Sequence, residues 1–233
     1  MIVTFDLFSA LLDTRTGAGA AFDELASSRG WSIDGLALYD RWDAHNKAAQ
    51  KDLALRLASG DGWESFASMS TRMLGRTYEE LGLDADHVAD MRTVHATIPH
   101  WSPWPDVVPA LATLSGEHRL GILSNVDDEL FDRTQVAGLV DPDFVLTSER
   151  LGAYKPGAQI YQRAAERTGG HVHVAASARD VRGSLEAGLA TVRVARPGHH
   201  VDPDGPQPSS EIDTLGELGP TLATICGEEG LPR

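Results

Sequence analysis

A chain of 233 residues can bury a substantial core, and 42% hydrophobic with 23% charged residues is ordinary for a globular protein. With 34 acidic against 20 basic residues the net charge is −14, which repels nucleic acid and anionic membrane, so an anionic ligand must be drawn in by a few cations inside a cleft. No apolar run approaches the ~20 residues of a membrane span. The N-terminal stretch lacks a signal peptide's basic flank, and the lone Cys226 excludes an internal disulfide and suits a reducing, cytoplasmic setting.

Residues 1–8 read as a short buried strand, carrying Ile2, Val3, Phe5 and Phe8, with Asp6 where the strand should give way to a turn. From Gly17 to about Thr97 the apolar spacing changes to three and four, predicting a run of four helices punctuated by Gly30, Gly60 and Gly82. After "IPHWSPWPD", whose Pro99, Pro103 and Pro105 stiffen a return connection, strand-like and helical runs alternate. The strand-like runs are "RLGILSN", "DFVLTSE", "HVHVAAS" and "ATVRVAR"; the helical ones are "DELFDRTQVAGL", "GAQIYQRAAERTG" and "VRGSLEAGL". A Pro- and Gly-rich loop over 197–211 and a last helix around 215–226 finish the chain.

Alternation of this kind predicts an α/β fold with a Rossmann-like, parallel, doubly wound sheet. The expected division is a core of residues 1–14 and 100–233 with an inserted all-helical module of residues 15–99. Ligands of such sheets bind at the carboxyl ends of the strands. Asp6, Ser124, Lys155 and the 175–180 segment all fall at or just after such ends.

A carboxylate serves as a nucleophile when it is held ionised, and a nearby ammonium does that. Lys155 in "GAYKPG" is the candidate, with Pro156 expected to start the next helix. Ser124 and Asn125 can cradle an oxyanion or a carboxylate, or cap the helix that follows. Asp180 either caps its own helix or serves the site by orienting Lys155 or activating a water.

These residues, in this order, resemble the haloacid dehalogenase superfamily, and most of all its L-2-haloacid dehalogenase-like branch with a helical cap after the first strand. "FDLFSALLDT" is similar to the first motif, "LSN" to the second, "YKP" to the third and "AASARDVRGSLEAG" to the fourth. The resemblance implies a hydrolase without cofactor that acts on a small-molecule carboxylate through an aspartyl ester on Asp6. Lys155 would keep Asp6 ionised and Ser124 would hold the substrate carboxylate. Asn125 and a cap arginine, taken as Arg41, would receive the halide. Tyr161 falls where the branch has an active-site tyrosine. Such caps often help to form a homodimer.

Departures from the motifs separate the branches. Phosphatases of the superfamily have a second Asp two positions after the nucleophile, where this chain has Phe8. They also have a Gly-Asp pair for Mg²⁺, where it has Val174 and Ala175. A phosphatase with an unusual metal site is therefore one alternative. The usual Thr of the first motif is Ala10, with Ser9 as a substitute, and the early Ser and Asn of the fourth motif are Ala175 and Ser177. These losses motivate the other alternative, a catalytically impaired relative that binds a small anion or a partner protein. No metal ligand set is assigned. His171 and His173 share a strand face without a third ligand, and His199 and His200 read as solvated. Trp101 and Trp104 read first as hinge packing and second as a substrate wall.

Overall fold

Buried β-branched and aromatic residues define β1 (Ile2–Phe5), in which Val3, Thr4 and Phe5 are fully enclosed. Burial on both faces is the lot of a strand in the middle of a parallel sheet, and β1 lies there. In this computed structural model, which describes residues 1–229, five further strands complete the sheet. They are β2 (Arg119–Ser124), β3 (Val145–Thr147), β4 (Val172–Ala175), β5 (Ala190–Val194) and β6 (Ser210–Ile212). The order is β3-β2-β1-β4-β5-β6 and every pairing is parallel, the doubly wound arrangement expected from the sequence. The chain winds from β1 out to β3, then crosses back to β4 on the other side of β1. That reversal opens a crevice beyond Phe5 and Ala175, where ligands of such sheets bind.

Between β1 and β2 come α1 (Thr14–Arg29), α2 (Gly35–Ala58), α3 (Phe66–Leu81) and α4 (His87–Ala96), then α5 (Val107–Leu114). Each of the first four starts on a short polar residue. Asp13, Asp34, Ser65 and Asp86 accept bonds from first-turn N–H groups that have no partner within the helix. The outgoing and returning chains run side by side: Asp13 N–H donates to Ser102 O at 3.0 Å and Trp104 N–H to Leu11 O at 2.9 Å. A core residue also grips the helical segment, because the Asp127 carboxylate accepts from Phe66 and Ala67 N–H, both at 2.8 Å, at the start of α3.

The second half contributes α6 (Asp128–Asp132), α7 (Ser148–Leu151), α8 (Ala158–Thr168), α9 (Ala178–Glu186) and α10 (Leu218–Glu229). Four local expectations need correction. The first strand stops at Phe5, because Leu7–Leu11 form one wide, π-type turn closed by Leu12 N–H on Leu7 O. The helix expected from Asp128 to Leu139 forms only at its start, since Thr134, Val136 and Gly138 are poor helix formers. Pro156 lies in a turn ahead of α8 and does not start it. Part of the expected loop is β6, an edge strand of three residues with only Ile212 buried, too short to show a period. The packing of the Cys226 side chain, expected to be in the core, lies outside the described residues. Among the described residues no helix is long and apolar enough to cross a membrane.

Candidate active site

Asp6 follows the last residue of β1, and the wide turn after it folds back to hold its carboxylate. Oδ2 accepts from the Ser9 N–H at 3.1 Å and from the Ser9 hydroxyl at 2.5 Å. Oδ1 accepts from the Ser124 hydroxyl at 3.3 Å and from Lys155 Nζ at 3.2 Å. Turns of this π type concentrate at functional sites, and here the turn delivers two donors to one oxygen. Ala10 carries no hydroxyl, but Ser9 supplies one from the neighbouring position. Ser9→Ala is expected to lower kcat by about one to two decades, the value of a buried hydrogen bond to a charge (about 1–3 kcal/mol), with little change in KM. Steady-state kinetics with folding verified by circular dichroism would show it.

Lys155 is buried and bridges two carboxylates, since its Nζ also donates to Asp180 Oδ2 at 2.6 Å. Burial alone would raise the Asp180 carboxyl. The adjoining Lys155 ammonium, aided by His173, overrides that and holds it well below the usual carboxylate range. Asp180 is thus a fixed negative charge that orients Lys155. The Tyr161 hydroxyl donates to Asp180 Oδ1 at 2.8 Å, and burial beside that carboxylate keeps the phenol protonated. Gly183 on α9 permits the approach, because a Cβ there would lie 2.8 Å from the Tyr161 oxygen.

Above this charge cluster lies a cavity of about 300 Å³. Its apolar wall is Phe8, Phe66, Trp42, Trp101 and Trp104. Phe8 stacks on Phe66 with centroids 5.8 Å apart and meets Trp101 edge-on at 6.2 Å. Both tryptophans of the return connection serve twice. Trp104 Nε1 donates to Ser9 O at 3.1 Å and Trp101 Nε1 to Thr97 Oγ1 at 2.9 Å, while their rings face the cavity.

The cavity gathers Asp6, Phe8, Ser9, Ser124, Asn125, Lys155, Ser177 and Asp180 from the sequence reading. Ser177 sits at the start of α9 with its hydroxyl making no capping bond. Two expectations fail. Arg41 is turned outward to pair with Glu80 at 3.0 Å and is more than half exposed. On α2 the positions facing the cavity are Tyr39, Trp42, Asp43, Asn46, Lys47 and Gln50, with Asp40 at the edge, and at ~100° per residue Arg41 points away from that stripe. Tyr161 is fully buried behind Asp180, outside the cavity lining. Asn125 lines the cavity, but its amide is committed. Nδ2 donates to Gln50 Oε1 at 2.9 Å and to Lys155 O at 3.0 Å, and Oδ1 accepts from Lys155 N–H at 2.8 Å. These bonds tie it to Gln50 on α2 and to the Lys155 backbone.

Several residues of the site escaped the sequence reading. His173, set aside as half of a metal pair, is fully buried, with Nε2 3.2 Å from Asp180 Oδ2 and Nδ1 3.0 Å from Thr4 Oγ1. The register of β1 on β4 sets Thr4 beside His173. His199, expected in solvent, is half-buried in the cavity wall, and burial lowers its pKa. Arg179 and Gln50 also line the cavity. The signals for them were the three-to-four stripe of α2 and the arginine directly preceding Asp180. A Mg²⁺ ion fits this donor set poorly. Ala175 ends β4 with a methyl group where a metal-binding carboxylate would stand, and Asp6 and Asp180 are already joined by an ammonium. Among the described residues no three His, Cys, Asp or Glu side chains are grouped to hold a metal.

The centre of the site is thus a carboxylate at the switch point of a doubly wound sheet, clamped by serine donors and a buried lysine. The family model of haloacid dehalogenase-like hydrolases matches residues 1–178, and the chain belongs to that family of enzymes. It is 27% identical to (S)-2-haloacid dehalogenase 4A of Burkholderia cepacia, over 94% of this chain and 93% of that one. The pyrimidine 5'-nucleotidase YjjG of Escherichia coli is 31% identical over 50% of this chain and 55% of its own. Among solved structures, the defluorinating L-2-haloacid dehalogenase Rha0230 superposes with a TM-score of 0.80 at 26% identity, over 95% and 94% of the two chains.

Proposed function

We propose that this hydrolase displaces a leaving group, typically a halide, from the carbon next to a carboxylate, through an ester on Asp6. The observation that carries this reading is the Asp6 carboxylate, held by Ser9, Ser124 and Lys155 at the floor of an aromatic cavity with no second carboxylate at Phe8. An Asp6 oxygen attacks the substituted carbon, the new C–O bond forms as the carbon–halogen bond breaks, and the bonding electron pair leaves with the halide. No proton needs to be supplied to such a leaving group, so an apolar Phe8 in place of a general acid is consistent with the chemistry. Water then attacks the ester carbonyl, which frees the 2-hydroxy acid, restores Asp6 and releases one proton.

The Lys155 ammonium, 3.2 Å from Asp6 Oδ1, offsets the charge of the nucleophile in the buried site. The Ser9 N–H and hydroxyl hold Oδ2, the oxygen that gathers charge during ester hydrolysis if attack is through Oδ1. The rings of Phe8, Phe66, Trp101 and Trp104 keep bulk water from a nucleophile that must react with carbon. The helical segment over 15–99 acts as the cap, and its α2 stripe closes the cavity. Halide release from a panel of 2-haloacids tests the reading, with chloride- or fluoride-electrode detection. Release that tracks enzyme concentration supports it. Mg²⁺-dependent phosphate release with no halide from any haloacid would replace it with a phosphatase.

A further inference from the structure

The expected cap cation, Arg41, is outside the cavity, yet an anionic substrate entering a chain of net charge −14 needs one. Most of the cations that line the cavity are already neutralised. Arg15 is bound by Asp40 through two bonds, at 3.1 and 2.7 Å, Lys47 by Asp43 at 2.5 Å, and Lys155 by both Asp6 and Asp180. Arg179 differs. Among the described residues it has no carboxylate partner, and its guanidinium rests on neutral oxygens, Gln50 Oε1 at 2.8 Å and the Lys47 carbonyl at 3.3 Å.

Its position suits a recognition role. Arg179 stands on α9 directly before Asp180, half-buried in the cavity wall. It meets the α2 stripe at Gln50, whose Oε1 also accepts from Asn125, the residue after Ser124. One neutral amide thus spans the gap between the strand end that contacts Asp6 and the uncommitted guanidinium. A planar guanidinium presents paired N–H donors that match a carboxylate, and exchanging a neutral amide oxygen for an anion strengthens the bonds it makes.

We propose that Arg179 is the specificity-determining residue that pairs with the substrate's carboxylate, the role the sequence reading gave to Ser124 alone. This rests on the reading that the ligand is a small carboxylate, but not on what leaves from it. Binding of unreactive probes separates the two. Propionate, 2-hydroxypropionate and the neutral propionamide are titrated into wild type, Arg179→Gln, Arg179→Lys, Gln50→Leu and Arg41→Gln. Calorimetry and the fluorescence of the cavity tryptophans report binding.

Arg179→Gln is expected to weaken both carboxylates by about 10- to 100-fold, the range for a hydrogen bond to a charged group. Arg179→Lys recovers part of the loss, Gln50→Leu loses less, and Arg41→Gln matches wild type. Propionamide binding is nearly the same in wild type and Arg179→Gln. The proposal is overturned if Arg179→Gln binds carboxylates like wild type, or if Gln50→Leu loses as much, which would make Arg179 only a latch between α9 and α2. It is equally overturned if wild type binds no carboxylate. Arg179-dependent binding without halide release would keep this inference and remove the dehalogenase reading.

Discussion

Asp6→Asn is expected to abolish turnover, with kcat falling on the order of 10⁴-fold or more, the scale of removing a covalent nucleophile. The neutral amide is nearly isosteric, and its single oxygen can keep either the Ser9 bonds or those of Ser124 and Lys155. It cannot attack carbon as a carboxylate does. Stability should change little by comparison, because Lys155 keeps its 2.6 Å bond to Asp180. The assay is halide release at high enzyme concentration, alongside denaturant unfolding. A variant with activity within tenfold of wild type would remove Asp6 from the chemistry.

Lys155→Met is expected to cost both activity and folding. It leaves Asp6 and Asp180 as buried carboxylates that face each other with no cation between them. Breaking a buried pair in this way costs about 3–5 kcal/mol, and Asp6 loses the ammonium that donates to its Oδ1. The sign of the pH dependence follows from Asp180. Its folded pKa is depressed, so the stability it gains from Lys155 is fully present above the ordinary carboxylate pKa of ~3.9 and is lost as the pH falls through the folded value. The stability gap between wild type and Lys155→Met should therefore be widest near neutrality and narrow on acidification. Urea midpoints from pH 7 down to about pH 2 measure it, because the Asp180 contribution is lost only below the ordinary carboxylate pKa of ~3.9. A gap that is constant with pH would mean the lysine acts through packing alone.

The α/β class and the order of its elements were readable because period and punctuation switch cleanly. Helical spacing runs from Gly17 to Thr97, and β-branched runs alternate with amphipathic helices thereafter. Asp6, Ser124, Lys155 and Asp180 were readable because each ends or follows a strand-like run, and parallel sheets gather such ends. Residues that depend on rotation about an axis were not. Arg41 and Gln50 both sit on α2, and which of them faces the cavity depends on a helical phase set by packing against α1 and α3, with which α2 shares its main contacts. His173 illustrates a different limit. Its role comes from strand register, which sets it beside Thr4 and above Asp180, and no local pattern encodes a register between segments 169 residues apart. Ser9 became interpretable only once the turn after Asp6 proved wide enough to bring its N–H and hydroxyl onto the same oxygen.

The ester itself is open to direct observation. In a single turnover with enzyme in excess over a reactive 2-haloacid in ¹⁸O-labelled water, solvent oxygen should enter the Asp6 side chain, and the first 2-hydroxy acid formed should carry unlabelled oxygen from the protein. Mass spectrometry of the N-terminal peptide and of the product reads both. Label found only in the product, with the Asp6 peptide unchanged, would mean that water attacks the substrate directly and that Asp6 never forms a bond to carbon.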